Sequence, residues 1–159
     1  MNDEIRAILL QNEIGHRVLS ALEVLIDRER HLFEQGVNER SLTHKFACYL
    51  QQNFPDWNVD CEYNRDGHDP KELYLPELHP DPEDSDAQTV FPDVIVHRRG
   101  EHENLLVIEF KKNPNVNGRR TDLIKLRHYK GQLGYLHALF VGLGVRPNPT
   151  GISEVRWVD

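Results

Sequence analysis

The sequence predicts an α/β domain: a mixed central β-sheet flanked by helices, with an N-terminal helical extension. Three observations carry this. Apolar residues recur at helical spacing over much of residues 4–53, two β-branched apolar runs (89–99 and 103–112) follow one another across Gly100, and a helical pattern then leads into another apolar run at 135–144. The chain's 159 residues suit one domain of roughly 100–200 residues, and its 38% apolar and 28% charged content exclude wholesale disorder.

From Glu4 to Phe33, Ile5, Ile8, Leu9, Val18, Leu22, Leu25, Ile26, Leu32 and Phe33 form a helical stripe, one long helix or two, with Asn12 and Gly15, both poor mid-helix residues, marking the place for a break. Residues 1–36 therefore form a helical extension that packs on its own domain or joins a homodimer. A second helix is expected from Asn38, a good N-cap, to about Asn53, with Leu42, Phe46, Tyr49, Leu50 and Phe54 turned inward. Steps of three or four residues from Glu39 through 42, 46 and 50 put that carboxylate at the head of the inward stripe. It marks a site, or an acid offsetting the helix dipole.

Pro55 ends this helix, and the alternation of Trp57, Val59, Cys61 and Tyr63 with polar residues reads as a strand over 57–65. Residues 66–88, rich in Pro, Asp and Glu, read as an acidic surface loop in which Leu73, Tyr74 and Leu75 supply an anchor. Asp81, Glu83 and Asp86 lack calcium-loop spacing and its central glycine, so they read as solvated acids. Runs 89–99 and 103–112 make a hairpin near the sheet centre. A connection at 113–119 precedes a helix capped by Thr121 and running through Lys130, then a strand at 135–144 and a short last one at 152–158.

Several classes fall away. No apolar run approaches the roughly 20 residues that span a bilayer, and the first residues lack a signal-peptide pattern, so a cytoplasmic protein without membrane contact is expected. Cys48 and Cys61 read as buried free thiols. The nine histidines show no zinc-ligand spacing and read as mostly exposed. There is no Gly-rich phosphate loop and no nucleophile elbow. A net charge of -7 argues against a broad phosphate-gripping surface, though a carboxylate metal site is itself acidic before its cation binds.

The hairpin carries the chemistry. Glu109 and Lys111, two apart in a strand, share one face while Ile108 and Phe110 point to the other. Asp93 interrupts the apolar partner run, with Phe91 and Ile95 as its same-face neighbours. Charges in such strands are costly unless paired or metal-bound. Two carboxylates on adjacent strands, joined by the backbone carbonyl of Phe110 and by water, suit a hard cation such as Mg²⁺, for which Mn²⁺ substitutes. A lysine beside that cation orients the attacking water and neutralises charge growing on a phosphate. A cross-strand ion pair on an exposed sheet is the non-functional alternative for Glu109 and Lys111.

Pro92-Asp93 followed by Glu109-Phe110-Lys111 resembles the motif of the PD-(D/E)xK nuclease superfamily, with its restriction endonuclease-like fold. The expected element order over residues 38–145 resembles that superfamily's αβββαβ core, and Glu39 stands where an N-terminal helix often adds a glutamate to the metal site. The resemblance implies a metal-dependent nuclease with Asp93 and Glu109 as ligands, Glu39 as an outer or second-metal ligand and Lys111 positioning water.

Lys125 is a candidate phosphate contact, and Asp122 a cap for its own helix. Gln132 and Tyr135 depart in spacing from a Gln/Tyr motif of some members, so no role is carried to them. Glu62 and Arg65 read as the edge of a solvated sheet. The expected substrate is nucleic acid, DNA ahead of RNA, with a partner protein, a dimer or a structure-selective substrate replacing an absent DNA-reading arm. The competing reading is a catalytically silent module of the same fold that binds or assembles through its N-terminal helices.

Overall fold

The computed structural model describes residues 1–78 and 87–159. Asn2 opens α1 (Asp3–Leu9) by accepting from the Ile5 N–H at 2.9 Å. The chain then turns a corner where Asn12 Oδ1 accepts from the Ile14 N–H at 3.1 Å. A Cβ at Gly15 would lie 1.8 Å from the Leu9 carbonyl oxygen, so only glycine lets α2 (Gly15–Arg28) start there. Of the two alternatives, one long helix or two, the chain takes the second, with the break at Asn12 and Gly15. A second break at Glu29 sets off α3 (Arg30–Gln35), which Gly36 ends in the left-handed conformation.

Asn38 caps α4 (Glu39–Asn53), accepting from the Ser41 N–H at 2.8 Å, and Leu42, Phe46 and Leu50 are buried as their spacing requires. Gln51 then ties the chain exit to the sheet. Its amide donates to the Trp57 carbonyl at 2.9 Å and its Oε1 accepts from Val59 N–H in β1 (Asn58–Cys61) at 3.0 Å. The expected strand over 57–65 stops at Glu62, whose φ of 49° breaks the extended run.

Among the described residues from 65 to 89, short strands form at β2 (Arg65–Asp66), β3 (Asp69–Pro70), β4 (Glu72–Leu73) and β5 (Gln88–Thr89); β2 pairs with β3, and β4 with β5. Leu73 and Leu75 are buried anchors; Tyr74 is exposed, because alternation turns it away from them. Lys71 is wholly buried, its ammonium bonded to the Arg65 carbonyl. Asp81, Glu83 and Asp86 lie outside the described residues.

The hairpin is narrower than its apolar pattern suggests. β6 is Val94–His97, so Asp93 stands just ahead of the strand, and β7 is Asn104–Lys112. α5 (Val116–Leu133) begins well before Thr121 because Asn115 takes the cap, accepting from the Gly118 N–H at 2.8 Å. Thr121 lies inside the helix and donates to the Asn117 carbonyl. β8 (His137–Gly144) and a full-length β9 (Gly151–Val158) complete a five-stranded mixed sheet, ordered β1-β6-β7-β8-β9, in which only β7 and β8 run parallel.

Strand alternation divides the core into two layers. Val94, Val96, Leu106, Ile108 and Phe110 meet Leu9, Leu22, Leu25, Leu42, Phe46 and Leu50 from the N-terminal helices, so α1 and α2 belong to the same hydrophobic cluster as the sheet. Ile95, Val107 and Phe140 meet Leu126 and Tyr129 of α5. Among the described residues no helix is long and apolar enough to cross a membrane.

Both thiols are free, but Cys48 is exposed rather than buried, since it falls on the outer face of α4. Burial pushes the half-buried Cys61 thiol up to about 11. His97 is an exception to the expected exposure: it is buried and bonds Asp60 at 2.8 Å.

Candidate active site

Antiparallel pairing of β6 with β7 sets Val94 opposite Ile108, and continuing that register by one residue brings Asp93 opposite Glu109. Both acids and Lys111 fall on the sheet face that carries Ile95 and Val107, the face covered by α5. The phase expected for Glu109, Lys111 and Asp93 is therefore the one observed. Of the two same-face neighbours expected for Asp93, Ile95 is in the core, whereas Phe91 is exposed because the chain has not yet entered the strand at that point.

Asp93 is held in place by the backbone: one carboxylate oxygen accepts from the Phe110 N–H at 2.7 Å. Burial pushes its carboxyl up to about 6; the Phe110 amide opposes this, while the nearby charges of Glu39 and Asp122 add to it. Glu109 is 3% exposed, and its Oε1 has no hydrogen-bond partner. Burial first, and then the charge of Asp93, raise its carboxyl well above the ordinary value; Lys125 counteracts only part of this. Two adjoining acids therefore both resist ionisation, and each is raised chiefly by burial.

Lys111 is half-buried, and its ammonium pairs with Asp122 at 3.1 Å. Burial works to lower its value, but Asp122, Glu39 and Asp93 together outweigh that and hold it above the usual range. The alkyl chain of Lys111 runs beside Gly118, where a Cβ would come within 3.3 Å of Lys111 Cε. Lys125 sits one turn along α5, 3.7 Å from the other Asp122 oxygen. Asp122 is thus no cap for its helix, which starts six residues earlier at Val116; it is a buried acid holding two lysines.

Glu39 approaches from the opposite layer. Its Oε2 accepts from the Lys112 N–H at 2.6 Å, and the Lys112 ammonium donates back to the Gly36 carbonyl at 3.0 Å and to that of Val37. The glutamate thereby ties the start of α4 to the end of β7. Immediately beyond, Asn113 adopts a φ of 43° and bonds the Val145 N–H at 3.1 Å, which turns the chain from β7 toward α5.

On sequence grounds Asp122 has only a capping role and Tyr129 only an apolar place in the helix, and neither is expected at the site. Tyr129 is buried, and its phenol, raised by burial and by Glu109, adjoins that carboxyl from α5. The missed signal was helical: 122, 126 and 129 step along one face, and a helix begun at Asn115 would have put Asp122 on the inward stripe. Glu62 is exposed and pairs with Arg40 at 2.7 Å, as befits a sheet edge. Gln132 bonds the backbone of Tyr74, and Tyr135 packs edge-on against Tyr129 in the second core layer.

Among the described residues, no three His, Cys, Asp or Glu side chains form a ready-made metal cage. The pair of Asp93 and Glu109 still fits a hard cation, because an orphaned, buried carboxylate oxygen is what such an ion would satisfy. Compared with known proteins, the chain matches no family model, no curated protein and no solved structure.

Proposed function

We propose that this chain is a metal-dependent nuclease of the PD-(D/E)xK type that hydrolyses phosphodiester bonds in DNA. The observation that carries the reading is the unpartnered Glu109 Oε1 beside Asp93, with Lys111 on the same face. The element order α4, β1, β6, β7, α5, β8 supports a restriction endonuclease-like αβββαβ core, with α1 to α3 added in front.

Asp93, Glu109 and the Phe110 carbonyl would hold Mg²⁺ or Mn²⁺, with Glu39 in reach of the same end of β7 as an outer or second-metal ligand. The bound cation would polarise the scissile phosphate and lower the pKa of the attacking water. The protein's own groups do the positioning. Phe110 N–H aims the Asp93 carboxylate, and Tyr129 and burial fix Glu109. Asp122 keeps the Lys111 ammonium charged and directed at the place where phosphate charge builds, and Lys125 adds a second cation for the substrate.

The net charge of -7 favours one competing reading, a silent module of the same fold that binds or assembles with a partner. Cleavage of single-stranded, duplex and branched DNA and of RNA, followed with Mg²⁺ and Mn²⁺ for wild type and Lys111→Ala, separates the two. Metal-dependent cutting that the substitution abolishes is the expected result. Absence of cutting by wild type with either metal on every substrate would leave the silent module.

A further inference from the structure

A cleft of about 550 Å³ opens between α5 and the β4–β5 ribbon. Its walls are mixed: Leu75, Leu78, Val90, Phe91 and Tyr129 share them with polar side chains, Lys125 among them. Phe91 stands at its mouth with 56% of its surface exposed, a large aromatic ring left to solvent two residues before Asp93. Two of the lining residues, Tyr129 and Lys125, are the α5 side chains that adjoin Glu109 and Asp122. These two side chains thus border both the cleft and the carboxylate site, although neither Asp93 nor Glu109 lines the cleft.

In a chain of net charge -7, the only charged side chain among the described residues lining the cleft is a cation, Lys125. The nearby ion pair of Glu77 with His128, 2.9 Å apart, carries an acid on the stretch between Leu75 and Leu78. A duplex laid across this face would need a row of cations along its phosphates. One cation next to an aromatic-edged hollow instead suits one phosphate and one base. The volume lies in the range of about 300–1,000 Å³ that encloses small ligands.

We propose that this cleft receives an unpaired nucleobase of the substrate strand, stacked on Phe91, with the adjoining phosphate directed past Lys125 to Asp93 and Glu109. The inference rests on the nuclease reading and narrows it to nucleic acid with single-stranded character at the cut. Stacking supplies the grip that a weakly cationic surface lacks. Because every base has an aromatic face, it also makes binding tolerant of sequence.

The test uses the full chain with Ca²⁺ in place of Mg²⁺, and fluorescence anisotropy with labelled dT12, rU12 and a blunt 12-base-pair duplex. Phe91→Ala removes an exposed side chain and should fold normally; circular dichroism checks this, and Phe91→Trp retains a stacking surface. The expected result is that Phe91→Ala weakens dT12 or rU12 binding about five-fold or more, that Phe91→Trp restores it, and that duplex binding is weaker than single-strand binding in wild type. Equal affinity of wild type and Phe91→Ala for both single strands, tighter binding of duplex, or no binding at all overturns the proposal. Phe91-dependent binding without cleavage in Mg²⁺ would support the cleft while defeating the nuclease reading. Cleavage with single-strand binding indifferent to Phe91 would do the reverse.

Discussion

Replacing Asp93 by Asn should make the metal-free protein more stable at pH 8, against the usual expectation for a change at a buried site. Asp93 ionises at about 6 in the fold, against an ordinary 3.8, chiefly because burial penalises its charge. An acid whose folded value lies above its unfolded one stabilises the fold while protonated. That contribution is complete below about 3.8 and is lost as pH rises through about 6. The gap corresponds to at most about 3 kcal/mol, since the group is not fully buried. Asparagine keeps an oxygen to accept the Phe110 N–H, which Asp93 binds at 2.7 Å, and it removes a charge that burdens Glu109.

Urea denaturation without divalent metal, followed by tryptophan fluorescence at pH 4 and pH 8, is the assay. With a slope of about 1–3 kcal/mol per molar urea, the Asn variant should unfold about 1–2 M later than wild type at pH 8. The two should nearly coincide at pH 4. Excess Mg²⁺ should narrow the difference at pH 8 by stabilising wild type selectively. Equal or lower stability of the variant at pH 8 would refute the reasoning, because it would show that the ionised pair is already compensated by the lysines around it.

Asp122→Asn should slow cleavage about 10- to 100-fold, the usual cost of losing a partner that orients a catalytic group. It should also move the alkaline limb of the rate profile to lower pH, since Asp122 is what keeps the Lys111 ammonium above its ordinary value; an unmoved limb would count against that role. Leu22→Ala, at a fully buried position of α2, should cost about 2–5 kcal/mol in urea denaturation, while the exposed Leu10→Ala should change stability by no more than about 0.5 kcal/mol. Equal, small effects would mean that the N-terminal helices do not share the sheet's core.

Periodicity made the face of each element legible. Glu109 and Lys111 could be put together, and Asp93 opposite them, because a strand's period of two admits no compromise and the apolar neighbours fix its phase. Boundaries were harder to read where a local device competes with pattern. Asn115 takes the α5 cap ahead of Thr121, and the φ of 49° at Glu62 stops β1 early. Asp122 escaped for that reason: with the helix begun too late, a buried acid looked like a terminal one. Lys71 could not have been foreseen in a segment so rich in charge, since its burial depends on Arg65 and on the rings of Tyr63 and Tyr135 brought over it by the fold.

The central claim is that Asp93 and Glu109 together hold a divalent cation, and calorimetric titration of Mn²⁺ into wild type and Glu109→Gln at pH 7 tests it most directly. Two buffers of different ionisation enthalpy report protons released. Wild type should bind Mn²⁺ with proton release, because burial raises the Glu109 carboxyl whereas a bound cation favours its ionised form, and Glu109→Gln should lose both the uptake and the release. Mn²⁺ uptake of equal affinity in the two proteins, or none in wild type, would contradict the site.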